Sequence, residues 1–439
     1  MSEARAAASW YRATATAHPP FPPLAGRSDT DIAIVGAGFA GLNTALGLAE
    51  RGVRDIVLLE QGQVGFGASG RNGGFVFGGY SLGEEALVAR LGDAKARALY
   101  LRTVRAVGLI RSRIDRFGIP CDPVDAGVIW ANWFRDPAIL RERQRFLAEH
   151  FGVEWEWIER AHLRELLKTE RYGDGLIERN AFHMHPLNYA IGLAQAAAGQ
   201  GVAIHEHSAV RTLVRDGSGW LLRTDTGEVR AERVVLSCGG YLAALDRRVD
   251  RAVLPIATYV MVTEPLGARL DECMATRAAV YDTRFAFDYY RPLADTRLLW
   301  GGRISVLDRA PESVKRLLMR DLMKVFPQLD GVGIDYAWSG LMSYARHQMP
   351  QLGTRGDGLW WAQAFGGHGV SSTTALGEVL AAALAEDDPA WRDYAQFGLD
   401  DTLRPLGFLG AQANYWWQQG RDALRSQNRG QSRLSGNSG

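Results

Sequence analysis

The apolar residues of this chain fall into three patterns, and each predicts a different kind of element. Short apolar runs at residues 32–35, 56–59 and 234–236, and the nearly apolar run 359–364, predict buried strands, because a strand covered on both faces has no polar side to show. Val107, Ile110, Ile114 and Phe117 recur at helical spacing until Gly118 and Pro120 stop the run. Helical character extends over residues 82–168, with Asp136-Pro137 opening one helix and residues 159–167 forming another. His185-Pro186-Leu187 opens a helix over 188–198, residues 311–326 read as amphipathic, and an Ala-rich helix ends near Ala385. Short strands are expected at 202–205 and 210–214, and residues 220–224 pair with 229–233 across Asp225-Thr226-Gly227. The aromatic, β-rich stretches 258–263, 285–290 and 297–301 predict a separate antiparallel sheet under the 311–326 helix. No internal repeat is visible.

The first two buried runs frame a unit with specific chemistry. Residues 32–35 lead at once into Gly36-Ala37-Gly38-Phe39-Ala40-Gly41, then an Ala/Leu-rich helix and a strand ending in Glu60. Gly36 allows the tight turn, Gly38 lets a pyrophosphate approach the backbone, and Gly41 lets the helix pack on the strand. The helix N-terminus offers free N–H groups to phosphates. Glu60, nineteen residues past Gly41, is placed to accept two ribose hydroxyls. Its charge would repel a 2′-phosphate, which argues against NADP, but the unit alone does not separate NAD from FAD.

Two further glycine loops follow. Residues 61–75 carry Gln61, Ala68, Ser69, Arg71, Asn72, Gly73 and Gly74 in a run too rich in glycine for a helix or a strand interior. Such a loop suits a flat ligand; a flexible surface loop is the blander alternative. The second, Phe365-Gly366-Gly367-His368-Gly369-Val370-Ser371, opens the Ala-rich helix, where dipole and N–H groups stabilise negative charge.

Composition narrows the class of protein. The chain has 439 residues, enough for two or three domains, with 50 basic against 49 acidic residues and a net charge of +1. That balance favours neither nucleic acid nor an anionic membrane. Cys121, Cys238 and Cys273 are scattered and odd in number, which fits a reducing compartment; with no leader-like or membrane-length apolar run, a cytoplasmic location is expected. Residues 1–27 read as an extended strap, and residues 421–439 as a disordered tail. His183 with His185, and His205 with His207, stand at alternate positions and read as exposed strand histidines, without the further ligands a metal needs.

Four segments in order, GAGFAGL, GASGRNGG, the stretch from HPLNYAIGLA to VVLSCGGY, and AFGGHGVSST, resemble the flavin-dependent amine and amino-acid oxidases of the D-amino-acid-oxidase type. GASGRNGG and Thr263-Glu264-Pro265-Leu266 resemble the γ-glutamylputrescine oxidase branch. The resemblance implies an α/β fold: a doubly wound, Rossmann-like FAD domain over residues 1–80, 185–250 and 335–420, and an α+β substrate domain on an antiparallel sheet over 81–184 and 251–334. It implies FAD held by residues 36–41, Glu60 and Gln61, with Ala68, Ser69, Arg71, Asn72, Gly73 and Gly74 in a second loop. Val210 would meet the adenine through its backbone, and residues 366–371 would meet the pyrimidine end of the flavin.

Arg71 stands where one branch of the family has a flavin-linking histidine, and Leu341-Met342-Ser343 where another has a linking cysteine, so noncovalent FAD is expected. Arg346 is a possible match for a substrate-carboxylate arginine, although Arg346-His347-Gln348-Met349 departs from the family pattern. The implied reaction is oxidation of a C–N bond by hydride transfer to flavin, with dioxygen or an electron carrier as final acceptor and a role in polyamine catabolism. His368, Tyr289 and Arg291 are the candidate catalytic residues, with Phe287 and Tyr290 as further aromatic contacts for the amine. The alternatives are a sarcosine or D-amino-acid oxidase or dehydrogenase, and a flavin-binding redox protein without turnover.

Overall fold

Ile32 to Val35 are all buried because their strand, Gly26–Val35, runs through the middle of a parallel sheet. The computed structural model describes residues 9–243 and 245–431. One unit of the chain comprises residues 1–123, 184–256 and 340–404. Its sheet runs Gln351–Thr354, Leu359–Gln363, Gly227–Leu236, Gly26–Val35, Ile56–Leu59, Ala203–His205. All neighbours in that order are parallel except the first pair, and register places Ile32 beside Ile56 and Ala33 beside Val57 and Val234. Val35, Leu59, Leu222, Val234 and Leu359 meet in one core cluster. The hairpin expected around Asp225 is present, but its second arm is one continuous strand, Gly227–Leu236, that also forms the buried run at 234–236.

The helices Phe39–Glu50 and Gly369–Glu386 pack closely enough that a Cβ on Gly377 would stand 2.6 Å from that of Asn43. Arg113, from the helix Asp93–Phe117, is buried between them and bonds to Asn43 (2.6 Å), Glu50 (2.7 Å) and Glu378. This anchor carries residues 81–123 into the first unit, where the sequence reading assigned them to the substrate domain. The arm also departs from expectation. Trp10–Ala13 is a helical turn with Trp10 and Tyr11 buried, while residues 1–8 of the strap lie outside the described part.

The second unit comprises residues 124–183, 257–339 and 405–439. Its largely antiparallel sheet runs Ile334–Tyr344, Leu254–Thr263, Leu298–Ser305, Asp288–Pro292, Ala279–Asp282, Val128–Ala131, Gly175–Glu178, Glu156–Ile158. Strands Val128–Ala131 and Glu156–Ile158 interrupt the region expected to be helical; they are too short for their period to show in sequence. Helix Pro311–Val325 is present. Tyr290 stacks on Trp300 at 4.5 Å and meets Phe326 edge-on at 5.4 Å.

The tail expected to be disordered from residue 421 is a correction. Helix Leu406–Gln431 continues through it, and only residues 432–439 fall outside the described part. Three inward side chains fasten this polar helix: Gln412 accepts from Val306 N, Tyr415 from Ile304 N, and Asp422 from Phe285 N. Tertiary hydrogen bonds supply what its composition lacks. Among the described residues no helix is long and apolar enough to cross a membrane.

Candidate functional site

The first glycine turn has the geometry its motif requires. Gly36 sits at φ +104°, a conformation open to glycine, and its N–H donates to Leu59 O at 2.8 Å. A Cβ on Gly41 would stand 2.0 Å from Gly36 O, so only glycine lets the helix meet the turn. Ala37, Phe39 and Ala40 are buried, and the first turn of helix Phe39–Glu50 begins at Gly38. Its Phe39 N–H donates to Ser69 Oγ at 2.8 Å, which ties the second glycine loop to the helix end. Glu60, buried at the tip of its strand, accepts from Ala37 N at 2.8 Å and Gly62 N at 2.9 Å. Burial pushes its carboxyl above the ordinary range, and the Gly62 and Ala37 N–H groups pull it part of the way back. Gln61 beside it is exposed.

The second loop holds its shape from within. Asn72 donates to Ala68 O (3.1 Å) and Ser69 O (2.8 Å) and accepts from Gly74 N (2.8 Å). Arg71 is buried, donates from Nε to Phe66 O at 2.8 Å and lies over the Phe66 ring. Gly73 and Gly74 are buried, and Val210 is half-buried against the sheet core. The sequence reading missed two residues here. Ser237 Oγ donates to Val35 O at 2.9 Å, closing the neighbouring strand onto the turn. Glu206, 1% exposed, accepts from Val64 N at 2.7 Å. No motif marks either residue; both reach the loop only because their strands are neighbours of those carrying Gly36 and Glu60.

The third loop is built against a hydroxyl pair. Gly366, at φ +57°, donates to Ser343 O, and Gly367 N–H donates to Ser81 Oγ at 2.9 Å. A Cβ on Gly366 would lie 2.0 Å from Ser81 Oγ. Burial raises the Tyr344 phenol beside them to about 12, so it stays a neutral donor at neutral pH. His368 caps the helix that continues through Gly369 and Val370, with its ring edge-on to Phe77 at 5.3 Å. Ser371 Oγ donates to Phe77 O.

The first unit therefore carries three glycine-lined loops at the ends of its parallel strands, the first two tied together through Ser69, while Val210 lies outside them against the sheet core. These residues fit an extended dinucleotide on two observations. The glycine cradle would be filled by any Cβ, and a buried carboxylate stands at the end of the strand where a ribose would lie. Cys238, the cysteine near this site, donates to Val35 O, and burial raises its thiol to about 12.

The second unit sorts the aromatic candidates by strand alternation. Tyr289 and Arg291 share one face of Asp288–Pro292, and the Tyr289 ring lies across Gly301. Tyr290 faces the other way into the Trp300 stack, so it is a core residue rather than the amine contact expected of it. Arg291, 3% exposed, donates to His183 Nδ1 at 3.2 Å, and His183 Nε2 then donates to Arg277 O at 2.8 Å. Burial, then the Arg291 charge, lowers His183 to about 3, so the ring stays neutral. His183 and His185 are thus buried, which corrects the expectation of exposed strand histidines. Arg346 is exposed, whereas its neighbour His347 is buried.

Comparison with known proteins agrees with this geometry. The family profile described as FAD dependent oxidoreductase (DAO) matches residues 31–383. Gamma-glutamylputrescine oxidoreductase of Escherichia coli (strain K12) is 35% identical over 411 residues, which is 92% of this chain and 96% of that protein. A probable oxidoreductase, OrdL, of Haemophilus influenzae is 32% identical over 381 residues, 84% of this chain and 86% of that one. The crystal structure of glycine oxidase from Geobacillus kaustophilus superposes with a TM-score of 0.70 at 24% identity, covering 85% of this chain and 99% of its own. With three glycine loops in the expected order and a family match over most of its length, the chain belongs to the DAO family of FAD-dependent oxidoreductases, enzymes acting on amines and amino acids.

Proposed function

We propose that this enzyme oxidises the carbon–nitrogen bond of an amine on a flexible chain ending in an amide or carboxylate, with a γ-glutamylated polyamine as its substrate. The product is an imine, which water hydrolyses to an aldehyde and ammonia. The observation that carries this reading is the 35% identity over 92% of the chain to gamma-glutamylputrescine oxidoreductase. Bound FAD supplies the acceptor for the hydride leaving the α-carbon.

The chain's own residues supply position and charge. Glu60 takes the ribose hydroxyls, the N-terminus of helix Phe39–Glu50 takes the pyrophosphate, and residues 366–371 take the pyrimidine end of the flavin. His368 and the helix start behind it favour negative charge on that end. Tyr289 and Phe287, neighbours at 6.3 Å, offer an aromatic wall to the alkyl chain, and Arg291 a positive partner for the distal carboxylate. An apolar wall also disfavours the ammonium form, so turnover rises with pH as the amine loses its proton.

Steady-state kinetics test the assignment with γ-glutamylputrescine, putrescine, glycine, sarcosine and a short D-amino acid, following reduction of the electron acceptor as dioxygen uptake or bleaching of an artificial dye. The conjugate is expected to exceed free putrescine in kcat/KM by about tenfold or more, the worth of one charged contact. If glycine, sarcosine or the D-amino acid is turned over best, the substrate class is wrong.

A further inference from the structure

Helix Leu406–Gln431 reverses the usual amphipathic arrangement. The side that meets its own sheet is polar: Gln412 accepts from Val306 N and Ser305 Oγ, Tyr415 from Ile304 N, and Asp422 from Phe285 N. Ser426 Oγ takes the Trp133 Nε1–H at 3.3 Å. The opposite side is apolar and open, with Leu406, Leu409, Trp416, Trp417 and Leu424 all 61–70% exposed. A helix of a globular domain ordinarily buries its apolar face and shows water the polar one. With a whole Trp at about 250 Å², the two indoles alone leave on the order of 300 Å² in water. The three leucines and the exposed Phe285 ring, 6.3 Å from Tyr415, bring the patch to the upper end of the about 300–600 Å² found on monomers. Gly410, Ala413, Gly420 and Ala423, exposed on the same side, carry it toward the about 800 Å² per partner that a stable dimer buries.

The pattern of this face says what covers it. Leu406, Gly410, Ala413, Trp417, Gly420 and Leu424 follow at steps of 4, 3, 4, 3 and 4 residues, the 3.5-residue repeat of a seam between two helices. The steps read the same from either end. Turned end for end about residue 415, Leu406 meets Leu424, Gly410 meets Gly420, and the large Trp417 meets the small Ala413, which is the self-complementarity that a two-fold contact requires. A Cβ on Gly410 or Gly420 would meet nothing within 4 Å, so no contact inside the chain calls for so weak a helix former there; close approach of a second helix does. Arg421 and Arg425 are the charges on this face among the described residues. A parallel pair would set Arg421 against its copy, whereas the antiparallel pair holds the two roughly 18 Å apart, each with its stem along Leu409 of the other chain. Two arginines also fall short of the about four to eight cations by which a helix holds an anionic lipid surface. We propose that the outer face of this helix is the contact of a two-fold dimer, packed antiparallel on the same helix of a second copy of the chain.

Analytical ultracentrifugation of the full-length holoenzyme at micromolar concentration should give twice the chain mass of 48.2 kDa. Trp417→Glu and Gly410→Leu should each raise the dimer dissociation constant by roughly 30-fold or more, as expected where a central anchor or its close approach is lost. Both positions are open in the single chain, so flavin content and far-ultraviolet circular dichroism should stay those of the parent. Leucine is also the better helix former, so dissociation of Gly410→Leu does not come from a weakened helix. Oxidation of a mixture of Gly410→Cys and Gly420→Cys chains should crosslink one variant to the other in preference to itself, which fixes the antiparallel sense. A parent that sediments at the single-chain mass overturns the proposal, including one that instead co-sediments with phosphatidylglycerol vesicles. So does an unchanged dissociation constant in either Trp417→Glu or Gly410→Leu, or a cysteine mixture that crosslinks no better than either variant alone.

Discussion

Glu60→Gln separates the two jobs of one carboxylate. In the protein itself its oxygens accept from Ala37 N at 2.8 Å and Gly62 N at 2.9 Å. Glutamine keeps the shape and one acceptor, but its NH2 must face the other N–H. One buried donor then loses its partner, at a cost of about 1–3 kcal/mol to the apoprotein. In the holoenzyme the ribose hydroxyls would lose a charged acceptor as well, a further loss of about 1.5–3 kcal/mol, or roughly ten- to 150-fold in Kd for FAD. Thermal unfolding of the apoprotein reads the first cost, and fluorescence titration with FAD reads the second. If the apoprotein is destabilised while the Kd stays within about twofold of the parent, Glu60 only braces the turn and the adenosine half lies elsewhere.

Three other outcomes are expected. Acid or heat precipitation of the holoenzyme should leave a colourless pellet and yellow supernatant, since Arg71 and Leu341-Met342-Ser343 offer no linking nucleophile; a yellow pellet would contradict this. Arg113→Met should cost about 3 kcal/mol in urea unfolding, the low end for a broken buried pair, because Glu50 and Glu378, 19% and 22% exposed, keep Arg116 and Arg51 as partners. A loss below about 1 kcal/mol would show that the three helices do not depend on it. His183, held near 3 when folded, should make stability fall with pH between about 6.5 and 3, because only the unfolded chain takes up the proton there; the slope is about 1.4 kcal/mol per pH unit at most. His183→Asn should flatten that limb, and an unchanged slope would assign it to other groups.

The cofactor half of this protein was legible because its constraints are local. A Gly at 36, 38 and 41, an apolar run before and an acid at 60 express rules that act over a few residues of backbone, so GAGFAGL and its flanks specify the turn, the helix start and the acid at the strand end together. The same holds for the helix opened by residues 366–371 and for the amphipathic helix Pro311–Val325. What depended on distant partners was not legible. Arg113 reads as one more charge on a polar helix until Asn43, Glu50 and Glu378 close around it and draw residues 81–123 into the first unit. Polar composition at 421–431 reads as disorder until Asp422 finds Phe285 N. Tyr289 and Tyr290 look alike in sequence, and only the pleat of a paired strand sends one across Gly301 and the other into the Trp300 stack. Glu206 belongs to no motif; the pairing of the strand before it brings it to Val64 of the second glycine loop, and that is a property of the folded chain.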